Sequence, residues 1–145
     1  TTIGKSRFDF SGIDENGNEF ILEVKNVPCA YYKNVSNEKE RKKIDSSKYK
    51  WNEKIGVFPI GKINRKTKTI SERALKHIRE LEEIKKNTNK RTLMCYVIQR
   101  EDVKIFEPSA IDIIYKNAVE KAIKNGVEIV LLKVKWNEKG ECFMN

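Results

Sequence analysis

Ser6 to Val27, SRFDFSGIDENGNEFILEVKNV, is the stretch on which the fold turns. Its first half alternates, which places Phe8 and Phe10 on one face of a strand and Arg7, Asp9 and Ser11 on the other. The second half alternates too, with Phe20, Leu22 and Val24 on one face and Ile21, Glu23, Lys25 and Val27 on the other. Between them Asp14-Glu15-Asn16-Gly17-Asn18 reads as a turn, in which Gly17 takes positive φ without strain.

Loop length decides which faces meet, because opposed residues of an antiparallel pair point the same way. A two-residue loop at Asn16-Gly17 sets Asp9 opposite Val24. A three-residue loop, Glu15-Asn16-Gly17 closing on Asp14 and Asn18, sets Asp9 opposite Glu23, and this is the register expected here. Two carboxylates and an ammonium then share one sheet surface. Mg²⁺ or Mn²⁺ takes oxygen ligands and keeps several waters, so Asp9, Glu23 and the carbonyl of Val24 suffice as a candidate metal site. Lys25 beside them suits the orientation of a water or the stabilisation of charge on a phosphate. The plainer reading is a solvated sheet face, since Glu-x-Lys arises often by chance in a chain rich in both.

The 145 residues, 39% hydrophobic and 9% aromatic, suffice for one domain with a real core. The longest apolar run, Val127 to Val134, is interrupted by Glu128 and Lys133 and is too short for a membrane span. No signal peptide is visible, and the chain opens on Thr1, as a fragment or trimmed form with its N-terminal address missing would. Cys29, Cys95 and Cys142 are odd in number and far apart, which points to free thiols in a reducing intracellular compartment, cytoplasmic or nuclear. With His77 the single histidine and no paired cysteines, a zinc site lacks ligands.

The net charge is +9, and its placement matters more than its size. Tyr31 to Ile70 carries 12 Lys and Arg against 4 Asp and Glu, while Thr1 to Ala30 is slightly acidic. This segment interleaves Tyr31, Tyr32, Tyr49 and Trp51 with lysines, and includes Lys62, Arg65, Lys66 and Lys68. Basic residues among aromatics suit a nucleic-acid backbone and stacked bases. A solvated, lysine-rich insertion fits Lys39 to Lys48 equally well.

Regular structure follows. Ser71 is an N-cap, and Ala74, Leu75, Ile78, Leu81 and Ile84 form one helical stripe, so a helix is expected over Ser71 to Lys86. Its other faces carry Glu72, Arg73, Lys76, His77 and Arg79. Arg91 to Arg100 reads as a buried central strand. Pro108 and Asp112 prepare a helix from about Ile113 to Asn125, stopped by Gly126, and Val127 to Trp136 reads as a last strand. The order implies a mixed α/β sheet: an antiparallel hairpin extended by crossover strands, with helices packed on it.

Several blocks then stand in a familiar order: Gly4-Lys5-Ser6-Arg7-Phe8-Asp9-Phe10, Glu23-Val24-Lys25-Asn26-Val27, Phe58-Pro59, Glu72 to Leu81, Val97 to Asp102 with Phe106 and Pro108, Ile111-Asp112, and Gly126-Val127-Glu128. Together they resemble the C-terminal half of the sugar fermentation stimulation protein family across nearly the whole chain apart from the middle insertion. That family is described as DNA-binding, and its C-terminal half is similar to the PD-(D/E)XK, restriction-endonuclease-like core. The resemblance implies Asp9, Glu23 and Lys25 as site residues. It also implies one nuclease-like domain over 1–145 with a basic insertion at about 30–70, without the family's N-terminal OB-like half. Two departures stand out: Ile60 replaces the Asp that follows Phe-Pro in the family, and Arg73-Ala74 replaces Arg-Gly.

The expectation is a nucleic-acid-binding domain with DNA as its foremost partner, no membrane partner, and one of two modes of action. In one, Asp9 and Glu23 hold the cation, Lys25 assists a water in phosphodiester hydrolysis, and Arg7, Lys62, Arg65, Lys66, Lys68, Arg73, Lys76 and His77 position the nucleic acid. In the other, the same residues form a polar patch on a non-catalytic DNA- or RNA-binding module.

Overall fold

A computed structural model of the chain describes residues 2–3 and 6–144, with side chains from 6 onward. Gly4 and Lys5 of the first quoted block lie outside the described residues. In chain order the elements are β1 (Thr2–Ile3), β2 (Ser6–Arg7), β3 (Phe10–Ile13), β4 (Glu19–Asn26), β5 (Ala30–Tyr31), α1 (Glu38–Lys42), a 3-10 turn at Ser46–Lys48, β6 (Lys54–Phe58), α2 (Glu72–Asn87), β7 (Arg91–Ile98), β8 (Val103–Pro108), α3 (Ile113–Lys124), β9 (Glu128–Trp136) and β10 (Cys142–Met144). The main sheet is five-stranded in the order β10-β9-β7-β4-β3. Its centre, β4, β7 and β9, is parallel, and β3 and β10 are antiparallel to their neighbours, so the sheet is mixed as the hairpin-plus-crossover pattern requires.

The hairpin turn is built around Asp14. Its Oδ1 accepts the Asn16 and Asn18 N–H groups at 2.9 Å each, and its backbone pairs with Asn18 and Gly17. Gly17 sits at φ 81°, where only glycine is unstrained. This is the three-residue loop, and the ladder runs Ile13↔Glu19 to Phe10↔Leu22. The ladder stops there, one residue short of the expected Asp9–Glu23 pair. Arg91 fastens the turn to the sheet, donating to Asp14 at 2.9 Å and forking onto both Glu128 oxygens at 2.9 and 2.6 Å.

The first strand departs from its expected continuity. It breaks at Phe8 and Asp9, where the Asp9 carboxylate accepts the Val24 N–H at 2.8 Å. A side chain thus ends the ladder, and the alternation slips: Phe8 is 1% exposed and Phe10 58%, so the two do not share a core face.

α2 and α3 pack on the sheet face that carries Ile21, Met94 and Tyr96, through Ala74, Ile78 and Leu81 on one helix and Tyr115, Val119 and Ala122 on the other. Each large aliphatic side chain buried here contributes about 1.5–3 kcal/mol relative to exposure. Both helices have the expected caps: Ser71 Oγ accepts from Ala74 N and Asp112 Oδ1 from Tyr115 N, each at 3.1 Å.

A second, three-stranded sheet, β5-β6-β8, was not expected from the sequence. It turns the middle segment from an insertion into part of the core. Phe58 and Phe106 pack against Tyr96 with ring centroids 5.7 and 4.2 Å away, and Tyr96 and Tyr115 share a hydroxyl hydrogen bond of 2.6 Å. The aromatics of this segment are also engaged internally. Tyr32 stacks on Tyr49 at 4.8 Å, and the Arg41 guanidinium lies 3.9 Å over Tyr31, so these rings serve the fold, while Trp51 is exposed.

The start of β6 is pinned by an ion cluster. Asp102 accepts from Arg100 at 2.9 and 2.6 Å and from Lys54 at 2.9 Å. Arg100 first, then Lys54, hold the Asp102 pKa down to about 2 from 3.8. A depressed carboxyl pKa contributes stability that is full above 3.8 and is lost as the pH falls through about 2. The unfolding free energy is therefore expected to decline across that window, and Asp102→Asn to decline less. Parallel acid limbs for the two proteins, measured by urea titration, would refute this role.

Candidate metal and nucleic-acid site

β4 aims Glu23 and Lys25 at the helix-covered side of the sheet. Glu23 is 3% exposed, and the Lys25 side chain 13%. A carboxylate so buried needs partners, and it has two. Lys25 Nζ lies 3.1 Å from Glu23 Oε1, and His77 Nδ1 lies 3.1 Å from the same oxygen and 2.9 Å from Lys25 Nζ. His77 comes from α2, where its spacing from Ala74 and Leu81 puts it on the inward stripe. It is 4% exposed, with the Phe8 ring 5.9 Å from its own. Burial first, then the Lys25 charge, push the His77 pKa below its usual value, against the pull of Glu23.

Two members of the expected triad, Glu23 and Lys25, thus meet with His77. Asp9 is exposed beyond the end of the β3–β4 ladder and spends Oδ2 on the Val24 N–H, next to Glu23. Val24 itself lies between Glu23 and Lys25 on β4. The decisive atom is Glu23 Oε2, which is buried and has no hydrogen-bond partner. An orphaned carboxylate oxygen in the interior is costly unless a cation or ordered water takes it. Two carboxylates and a main-chain carbonyl fit the oxygen-seeking cations Mg²⁺, Mn²⁺ or Ca²⁺ better than Zn²⁺ or copper, and among the described residues no group of three His, Cys, Asp or Glu is placed to hold a metal alone.

His77 was expected among the residues that position the nucleic acid. Burial puts it instead at the floor of an open groove of about 920 Å³, while Arg7, Arg73 and Lys76 line its exposed walls. Glu72, Glu80 and Glu83 share those walls, so the groove is mixed in sign. Lys62, Arg65, Lys66 and Lys68 are exposed on the loop before α2, whose Thr67 and Thr69 reach the groove rim. That loop is a defined turn: Asn64 Oδ1 accepts from Lys66 N at 2.8 Å, and Asn64 and Thr69 pair through their backbones at 3.0 Å. The structure therefore brings Arg7, Arg73, Lys76 and His77 together along one groove, while Arg65, Lys66 and Lys68 stay exposed on the loop and Lys62 lines a separate hollow with Tyr31, Arg41 and Lys42.

Cys29, Cys95 and Cys142 are free thiols, and among the described residues no helix is long and apolar enough to cross a membrane.

Comparison with known proteins agrees with this architecture. The chain is 31% identical over 140 residues to a sugar fermentation stimulation protein homolog from Clostridium botulinum, covering 94% of this chain and 47% of that protein. A homolog from Idiomarina loihiensis is 28% identical over 136 residues, covering 93% of this chain and 45% of that protein. The chain thus spans about half the length of these relatives. A solved structure described as Pyrococcus furiosus SfsA in complex with Ca²⁺ superposes with a TM-score of 0.71 at 20% identity, over 100% of this chain and 50% of that one. The model of the sugar fermentation stimulation protein RE domain matches residues 50–140, and the chain belongs to that family.

Proposed function

We propose that this domain binds nucleic acid, DNA foremost, and hydrolyses phosphodiester bonds with a divalent cation held by Asp9 and Glu23. The observation that carries the reading is the buried, unpartnered Glu23 Oε2 beside the Lys25 ammonium. The description of the Pyrococcus furiosus relative as a Ca²⁺ complex supports a hard divalent cation in this family. When bound, the cation supplies charge that polarises a phosphate oxygen. Asp9 and Glu23 would hold it, with the Val24 carbonyl available as a third oxygen. Lys25 orients the attacking water and stabilises negative charge as it grows on the phosphate. The groove cations Arg7, Arg73 and Lys76 and the loop cations position the strand. The absence of a three-residue metal cluster among the described residues favours a second reading, a binding module without cleavage.

Titration of Mg²⁺ and Mn²⁺ into the protein with duplex and single-stranded DNA separates the two. Cation-dependent products support hydrolysis; binding without products at every concentration supports the module. Salt dependence tests the footprint in either case. Affinity is expected to fall steeply with salt, and replacing Lys62, Arg65, Lys66 and Lys68 with Gln to weaken binding on any sequence. The log–log slope should drop by up to about 4, roughly one for each phosphate that is no longer neutralised. An unchanged slope would show that this loop stays off the backbone.

A further inference from the structure

We infer that His77 is a positioning residue, whose Nδ1 accepts a hydrogen bond from the Lys25 ammonium and fixes that Nζ against Glu23. Its consequence for catalysis rests on the hydrolytic reading above, while the positioning itself does not. Lys25 Nζ, His77 Nδ1 and Glu23 Oε1 form a triangle with sides of 2.9, 3.1 and 3.1 Å. An ammonium carries donors and no acceptor, so a ring nitrogen 2.9 Å from it must present its lone pair. The ring proton then belongs to Nε2. It follows that Nδ1 does not also donate to Glu23; both the nitrogen and the oxygen accept from Lys25, and their own 3.1 Å approach is bridged by the ammonium.

Geometry makes this hold selective. A lysine stem has four rotatable bonds, and an ammonium tied to a single carboxylate oxygen can still pivot about that oxygen. A second acceptor from a different element removes the pivot. His77 is well suited to be that element's contribution, because α2 is fixed by its buried stripe and the ring is backed by Phe8. With two of its protons committed, Lys25 keeps one for a water or phosphate, and its direction is set before any substrate arrives.

The test compares His77→Phe, which keeps ring volume without the acceptor, with His77→Asn, whose Oδ1 takes the place of Nδ1. The first readout needs no activity: the amine proton signal of Lys25 in nitrogen-15 spectra, visible when the ammonium is held and shielded from exchange. It is expected in the parent protein, lost in His77→Phe and recovered in His77→Asn. The second is turnover with Mn²⁺, expected to fall at least tenfold in kcat in His77→Phe with DNA affinity within twofold, and to recover in His77→Asn. Should His77→Phe not fold, His77→Leu carries the same comparison. A Lys25 signal unchanged without the ring nitrogen overturns the inference. Loss and recovery of that signal in a protein that never cleaves supports the positioning and removes the hydrolytic reading instead.

Discussion

On the proposed hydrolytic reading, alanine in place of Lys25 is expected to lower cation-dependent cleavage by at least about 100-fold, the cost typical of removing one preorganised charge stabiliser. Affinity for DNA should hold within about twofold. The asymmetry follows from where Lys25 sits. Its side chain is only 13% exposed, and it is one of 30 Lys and Arg, so it adds little to the field that attracts phosphates. On that reading its work falls in the transition state, so its loss lowers kcat and kcat/KM together. The substitution also strips a donor from Glu23 and His77, both buried, at a cost of about 1–3 kcal/mol. Rates must therefore be compared below the measured Tm.

Asp9→Asn makes the companion experiment. The amide oxygen can still accept the Val24 N–H, so the end of the β3–β4 ladder survives while the charge is lost. Cleavage should fall as far as with Lys25→Ala, and cation-free DNA binding should tighten, because a negative charge facing phosphates is gone. Full-rate cleavage in both variants would place the activity at some other site.

How legible this was in the sequence varied by element. The hairpin turn was readable because Gly17 tolerates positive φ in a three-residue loop, which the Asp14 carboxylate then closes by accepting from the N–H groups two and four residues on. The helices were readable from the caps Ser71 and Asp112 and, for α2, from its apolar stripe. The break at Asp9 was not, since residues 7 to 11 alternate by type and only a cross-strand hydrogen bond interrupts them. The second sheet was hidden for a similar reason. β6 is short and sits in a lysine-rich context, and β8 ends on Pro108, so neither shows a clean period. Their cohesion is tertiary: a Cβ on Gly56 would meet Val103 and Val27 at 3.3 Å. His77 could have been found. Its place on the Ala74, Ile78, Leu81 stripe puts it under β4, and a histidine facing a Glu-x-Lys strand has polar work to do.

The largest loss of stability is expected at Asp112, away from the site's chemistry. Its residue surface is 0% exposed, yet it carries three hydrogen bonds: Thr69 Oγ1 donates at 2.6 Å and Ile70 N at 2.8 Å to Oδ2, and Tyr115 N at 3.1 Å to Oδ1. One carboxylate thus caps α3 and ties down the end of the basic loop just before α2 begins. Asp112→Ala leaves three donors in or near the interior without a partner. Each costs about 1–3 kcal/mol, and removal of the cap is included in that figure, so the sum is on the order of 3–5 kcal/mol after partial relaxation. Against a total of about 5–15 kcal/mol, this removes a large share of the fold's stability. Asp112→Asn keeps a single acceptor oxygen: with it on the Tyr115 N–H, the amide NH₂ can donate to Thr69 Oγ1 and only the Ile70 N–H is left unpaired, so it should cost less than the alanine. Urea unfolding followed by circular dichroism gives the comparison directly. Because the loop anchored at Thr69 also carries Lys62, Arg65, Lys66 and Lys68, the salt slope of DNA binding should soften in Asp112→Asn even where the protein remains folded. An Asp112→Ala protein within about 1 kcal/mol of the parent would mean that the three donors find other acceptors and that the loop's placement does not depend on this residue.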